Sequence, residues 1–164
     1  ALLYYLTVTG RPHLRSSLVG LLWPDMPETN ARNNLSKALT QLRQAVGEHL
    51  VITRQEIAFD RQSPYWLDVE HFARAVATPP VQAQPDIEAL ARAVDLYRGD
   101  FLEGLYVRQA LAFEEWMLAQ RARLRACAAC SADAIWEASS NLSVEETLAE
   151  ALSGGFHPVS DPPP

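Results

Sequence analysis

Cysteine is scarce in this sequence: only Cys127 and Cys130 occur, so no disulfide framework is implied and a reducing compartment, the cytoplasm, is expected. Long apolar runs are missing too. The opening ALLYYL is apolar for six residues and has no basic leader, which predicts neither a signal peptide nor a membrane span. No GxxxxGK[ST] or GxGxxG pattern occurs to cradle a phosphate, and Ser16-Ser17 lacks a GxSxG elbow. The C-x-x-C spacing of Cys127 and Cys130 supplies only half of a zinc site, because His13, His49, His71 and His157 are scattered. That pair reads as two small buried residues on one helix. Glu114 and Glu115 are neighbours in sequence and point in different directions on a helix, which makes a poor catalytic pair. No metal, no cofactor and no enzyme activity are expected.

Negative charge is missing in one place where the rest of the chain supplies it freely. The protein has a net charge of −6, yet TNARNNLSKALTQLRQAVG, from Thr29 to Gly47, holds neither Asp nor Glu. Residues 1–67 carry seven Lys/Arg against five Asp/Glu, whereas residues 68–164 carry seven against fifteen. Halves of opposite sign suggest two tasks.

Periodicity predicts a mainly α fold. Ala1–Val8 is apolar and made of helix formers, and Gly10-Arg11-Pro12 stops it. Leu14, Leu18, Leu21 and Leu22 mark a second helix over Arg15–Trp23. Pro27 suits the first turn of a third helix that runs to Val46, with Gly47 as its stop. Leu35, Ala38, Leu39, Leu42 and Val46 form its buried stripe. Two β-rich runs follow, Leu50–Thr53 and Glu56–Phe59, around a polar turn at Arg54-Gln55. Tyr65-Trp66-Leu67 supplies a further strand or a core anchor. From Asp68 the pattern is helical over Val69–Val76, Asp86–Arg98 and Ala110 to about Ala138, with TPPVQAQPD as a loop and Ser153–Pro164 as a disordered tail. The chain opens inside a helix, so a fragment with further sequence upstream is expected.

Three helices and a hairpin are the element order of a winged helix-turn-helix, whose third helix enters the DNA major groove. DNA carries one negative charge per about 1.7 Å of axis, so a carboxylate on the inserted face would be repelled. The outward face of the third helix offers Asn33, Lys37, Thr40 and Gln44, with Gln41 beside them and Arg32 and Arg43 on an edge. Asn33, Gln41 and Gln44 suit adenine edges and Lys37 suits guanine or phosphate, while Arg32, Arg43 and Arg54 suit the backbone.

GRPH, LLWPD, ARNNLSKALTQLR and WLDVEHF resemble the winged-helix region of SARP-type bacterial transcriptional activators. AVDLYRGDFLEGLYVRQALAFEEWMLAQRARLR is similar to the start of the bacterial transcriptional activator domain (BTAD), a tetratricopeptide-like (TPR-like) helical module. The resemblance covers about residues 1–130. It implies a winged helix-turn-helix at 1–67, a truncated TPR-like domain at 68–152, double-stranded DNA as the partner, and a second protomer or the transcription machinery as further partners. Family members precede the first helix with a small sheet that this sequence lacks. Leu14 stands where the pattern offers a Ser or Thr cap, and the segment past Trp136 departs from the repeats.

In the second half, Phe113, Trp116, Met117, Gln120 and Leu124 share a stripe suited to packing on Leu90, Val94 and Tyr97. Arg121, Arg123 and Arg125 are expected to form local salt bridges. Phe113, Trp116 and Arg121 are also the candidates for a partner interface. The alternative function is a protein-interaction module whose winged helix no longer binds DNA.

Overall fold

The computed structural model describes residues 1–77 and 87–153. Six helices and a small antiparallel sheet follow one another as α1 (Leu2–Thr9), β1 (His13–Leu14), α2 (Arg15–Leu22), α3 (Glu28–Val46), β2 (Leu50–Ile52), β3 (Glu56–Phe59), α4 (Asp68–Val76), α5 (Ile87–Val94) and α6 (Leu111–Ser153). Among the described residues, no helix is long and apolar enough to cross a membrane. The TPPVQAQPD loop lies outside the described residues, as does the expected disordered tail except for Ser153.

Gly10 ends α1 in the left-handed conformation at φ 62°, and its amide donates to the Leu6 carbonyl. Only glycine enters this region without a side-chain penalty. The Pro27 carbonyl receives the amides of Asn30 and Ala31, which opens α3 one residue later than the sequence suggests. Gly47 follows the last residue of α3, as expected, but without the left-handed conformation common at such a stop. Its φ of −58° continues the right-handed path into a 3-10 turn over Gly47–His49, which delivers the chain to β2.

The hairpin β2–β3 pairs Leu50 with Phe59 and Ile52 with Ile57. Its tip lacks the glycine of a favoured two-residue turn, and Thr53 compensates: its hydroxyl oxygen accepts the Glu56 amide at 2.9 Å and the Gln55 amide at 3.3 Å. The sequence did not announce β1. His13 and Leu14 pair with Ile57 and Glu56, giving the sheet order β1-β3-β2 and tying the hairpin to the start of α2. Two residues carry no readable alternation, so only the register on β3 reveals them as a strand. Tyr65-Trp66-Leu67 forms no strand. Tyr65 anchors instead, edge-on to Phe59 at 5.0 Å with its hydroxyl donating to Glu70 at 2.7 Å, while Trp66 is exposed and stacks on His71.

Among the described residues, one continuous core joins the two halves. Leu6, Leu18, Leu35 and Ile57 from the first half join Phe72, Phe113, Met117 and Leu124 from the second. Tyr5 of α1 meets Trp116 of α6 edge-on at 4.9 Å. α5 ends at Val94, four residues early, because i→i+3 bonds from Leu96 and Tyr97 tighten the chain and set Tyr97 against Phe72. α6 outruns its expected end because neither Gly nor Pro interrupts it before Gly154.

This packing engages the three residues considered for a partner interface, Phe113, Trp116 and Arg121. Phe113 is fully buried, and Trp116 is sandwiched among Tyr5, Phe101 and Phe113. Arg121 donates to the carbonyls of Phe101 and Leu102, both at 2.7 Å, rather than to a carboxylate. It clamps the loop in which Leu102 takes φ 52°. The salt bridge expected of the arginine cluster is made by Arg125 with Asp100. The hydrogen bond from the Arg125 guanidinium holds the Asp100 carboxyl below the usual range. Cys127 flanks the core, but Cys130 is exposed, against expectation.

His13 is buried against Tyr5, ring centroids 4.8 Å apart. Its Nε2 lies 2.7 Å from the Thr9 hydroxyl, which already donates to the Tyr5 carbonyl, so Nε2 carries the proton that binds Thr9. Burial first, and the nearby Arg11 second, push the His13 pKa below its ordinary value of 6.5. In acid the unfolded chain then binds this proton more readily than the folded one. The His13 contribution to stability is expected to rise with pH up to about 6.5 and to level off above it. Urea denaturation across this pH range, compared between the wild type and His13→Gln, isolates it: the substitution should flatten the slope below about pH 6.5.

Candidate nucleic-acid interface

α3 is held by one face and presents the other. Ala31, Leu35 and Leu39 are buried, and Ala38, Leu42 and Val46 lie half-buried beside them. This reproduces the expected stripe with Ala31 added. Arg32, Asn33, Lys37, Thr40, Gln41, Arg43 and Gln44 are all exposed. Among the described residues, no part of the second half covers them: α6 packs against α2, and the outer side of α3 stays open.

The exposed side chains divide into groups. Asn33, Lys37 and Gln44 project on the outermost face. Thr40 has committed its hydroxyl proton to the Ser36 carbonyl at 3.0 Å, so it offers a ligand only acceptor capacity. Gln41 turns toward α1, where it lines a small cleft with Leu2, Leu3 and Leu42. Arg32 pairs with Glu28 at 2.5 Å, one turn earlier. Both partners are about 70% exposed, so water screens the pair and it contributes little to stability.

The tertiary fold adds what the helix alone does not contain. A cleft of about 410 Å³ lies between the start of α2, the first half of α3 and the hairpin tip. Arg15, Ser16, Arg32, Ser36, Arg54 and Gln55 line it. The fold thus brings Arg32 and Arg54, 22 positions apart in sequence, to one site. Arg15 was not foreseen. Its backbone amide donates to the Gln55 carbonyl at 2.9 Å and its guanidinium to the Thr53 carbonyl at 3.0 Å, so it fastens the hairpin tip beside α2. The missed signal was a cation at the first position of a helix, an odd choice near a positive dipole end unless a tertiary contact holds it. As expected, Leu14 at the N-cap provides no side-chain bond to the first amides of α2.

Three cations around one cleft, beside an uncovered amide-rich helix face, can hold anions and donate hydrogen bonds to flat polar edges. No family model matches the chain, and no curated protein matches it.

Proposed function

We propose that this chain is the DNA-binding part of a transcriptional regulator, with α3 in the major groove and the β2–β3 hairpin on the sugar-phosphate backbone. The observation that carries the reading is the exposure of the Asn33–Lys37–Gln44 face together with the Arg15, Arg32 and Arg54 cleft beside it. In this reading the finer fold is a winged helix-turn-helix whose hairpin is the wing, and the helices from α4 onward form the BTAD-like, TPR-like part. The resemblance to SARP-type activators supports the same assignment. Base edges are read by Asn33 and Gln44, while Lys37 and the arginines supply affinity without sequence preference.

The test is a titration of the chain against random-sequence duplex DNA at several salt concentrations. Each phosphate neutralised contributes a slope of about −0.9 in log affinity against log salt, so engagement of four or five cations gives a slope of about −4. A slope near zero overturns the reading in favour of the protein-interaction alternative. Glu28 refines the test. It occupies Arg32 and adds a negative charge near the groove, so Glu28→Gln is expected to raise affinity for any duplex several-fold and to steepen the slope by about 0.9.

A further inference from the structure

A cleft of about 440 Å³ opens between α1, the first turn of α4 and the Leu96–Leu102 loop, away from every residue assigned above to DNA. Its volume falls in the range that takes a drug-sized molecule. Tyr4, Phe72, Tyr97 and Phe101 give it aromatic walls, and Leu124 of α6 closes its base. The polar groups are few. Asp100 is already held by Arg125 and by the Tyr97 hydroxyl at 3.3 Å, and Arg98 donates to the Asp95 carbonyl at 3.4 Å. Asp68, exposed on the lining, accepts the Val69 amide through Oδ1 at 2.7 Å, which leaves Oδ2 able to accept a further hydrogen bond.

We infer that this cleft binds an uncharged, ring-containing small molecule that lays its apolar faces between the aromatic walls and donates one hydrogen bond to Asp68. The charges on its lining choose this class. The lining carries one cation, Arg98, against the carboxylates of Asp68 and Asp100, and Arg125 neutralises Asp100, so no net charge repays an ion for leaving water. A neutral ring system with a hydroxyl loses little on entry and gains an acceptor. Since one wall belongs to α1 and the others to α4 and the 96–102 loop, an occupant bridges the DNA-reading half and the second half. This inference stands on the cleft alone and does not require DNA binding.

The experiment is a panel of uncharged two- to four-ring phenols, beginning with 2-naphthol, titrated into the full chain and read by amide chemical shifts and thermal unfolding. Charged counterparts, 2-naphthoate and 2-(aminomethyl)naphthalene, run alongside. Saturable one-to-one shifts confined to the Tyr4–Val8, Leu67–Phe72 and Leu96–Leu102 amides are expected, with charged counterparts at least tenfold weaker. At a hundredfold excess over its dissociation constant, a binder should raise the midpoint by roughly 5–10 °C. Thr7→Trp, which fills the mouth, should abolish the shifts. Asp68→Asn, at an exposed position, should weaken binding about fivefold or more and keeps the test open if the tryptophan variant does not fold. Failure of every phenol to saturate overturns the inference, as does binding that Thr7→Trp leaves intact. Concentration-dependent shifts of the same amides without any phenol would assign the cleft to a second copy of the chain and overturn it equally.

Discussion

Phe113→Ala is expected to destabilise the chain by about 3–5 kcal/mol, because the ring is fully buried and its removal combines lost transfer energy with a cavity that the surroundings fill incompletely. For a chain of this size that lowers the thermal midpoint by roughly 6–20 °C. Differential scanning calorimetry measures it. The ring touches Trp116, which touches Tyr5 of α1 and Phe101 of the clamped loop, so the loss should spread to both halves. Far-UV circular dichroism and tryptophan fluorescence are therefore expected to report one shared transition in the wild type and in the variant. A variant that unfolds at the wild-type temperature but loses an assembly partner would instead restore Phe113 to the partner surface first expected of it.

Lys37→Glu is expected to weaken binding to random-sequence and promoter duplexes alike by about tenfold or more at low salt, and to reduce the magnitude of the salt slope by about one to two. The substitution exchanges an attraction to phosphate for a repulsion on the outward face of α3, where none of the described residues shields it. Lys and Glu have similar helix propensity and Lys37 is exposed, so the thermal midpoint should stay within a few degrees. Lys37→Gln should give an intermediate loss. Arg92→Glu, on α5 and paired with Glu88, is the control that should leave DNA affinity unchanged. Unaltered affinity of Lys37→Glu, measured by fluorescence anisotropy at several salt concentrations, would remove α3 from the interface.

The helices were legible because their causes are local. The Leu35-Leu39-Leu42 spacing, the Gly10 stop and the Pro27 start each act within one or two turns, and the structure places the corresponding boundaries within a residue or two. Elements that depend on distant partners were not legible in this way. β1 exists through its pairing with β3, 43 positions later, and α5 stops early through the turn that sets Tyr97 on Phe72. Arg121 read as one more member of a basic cluster. Its role as a clamp on two carbonyls follows from how the 96–110 loop folds back on α6, which no spacing rule encodes.

By itself the sequence determined that residues 28–46 form a helix with an apolar stripe and a face free of carboxylates beyond its first turn, because hydrophobic period and charge are written residue by residue. Only the tertiary structure decided that this face stays open, that Arg15, Arg32 and Arg54 share a cleft, and that Phe113 and Arg121 are spent inside the chain. The physical reason is that burial and charge proximity are properties of pairs of surfaces. A side chain's type limits what it can do, but the surface packed opposite it decides whether water, a neighbouring residue or a ligand is its partner.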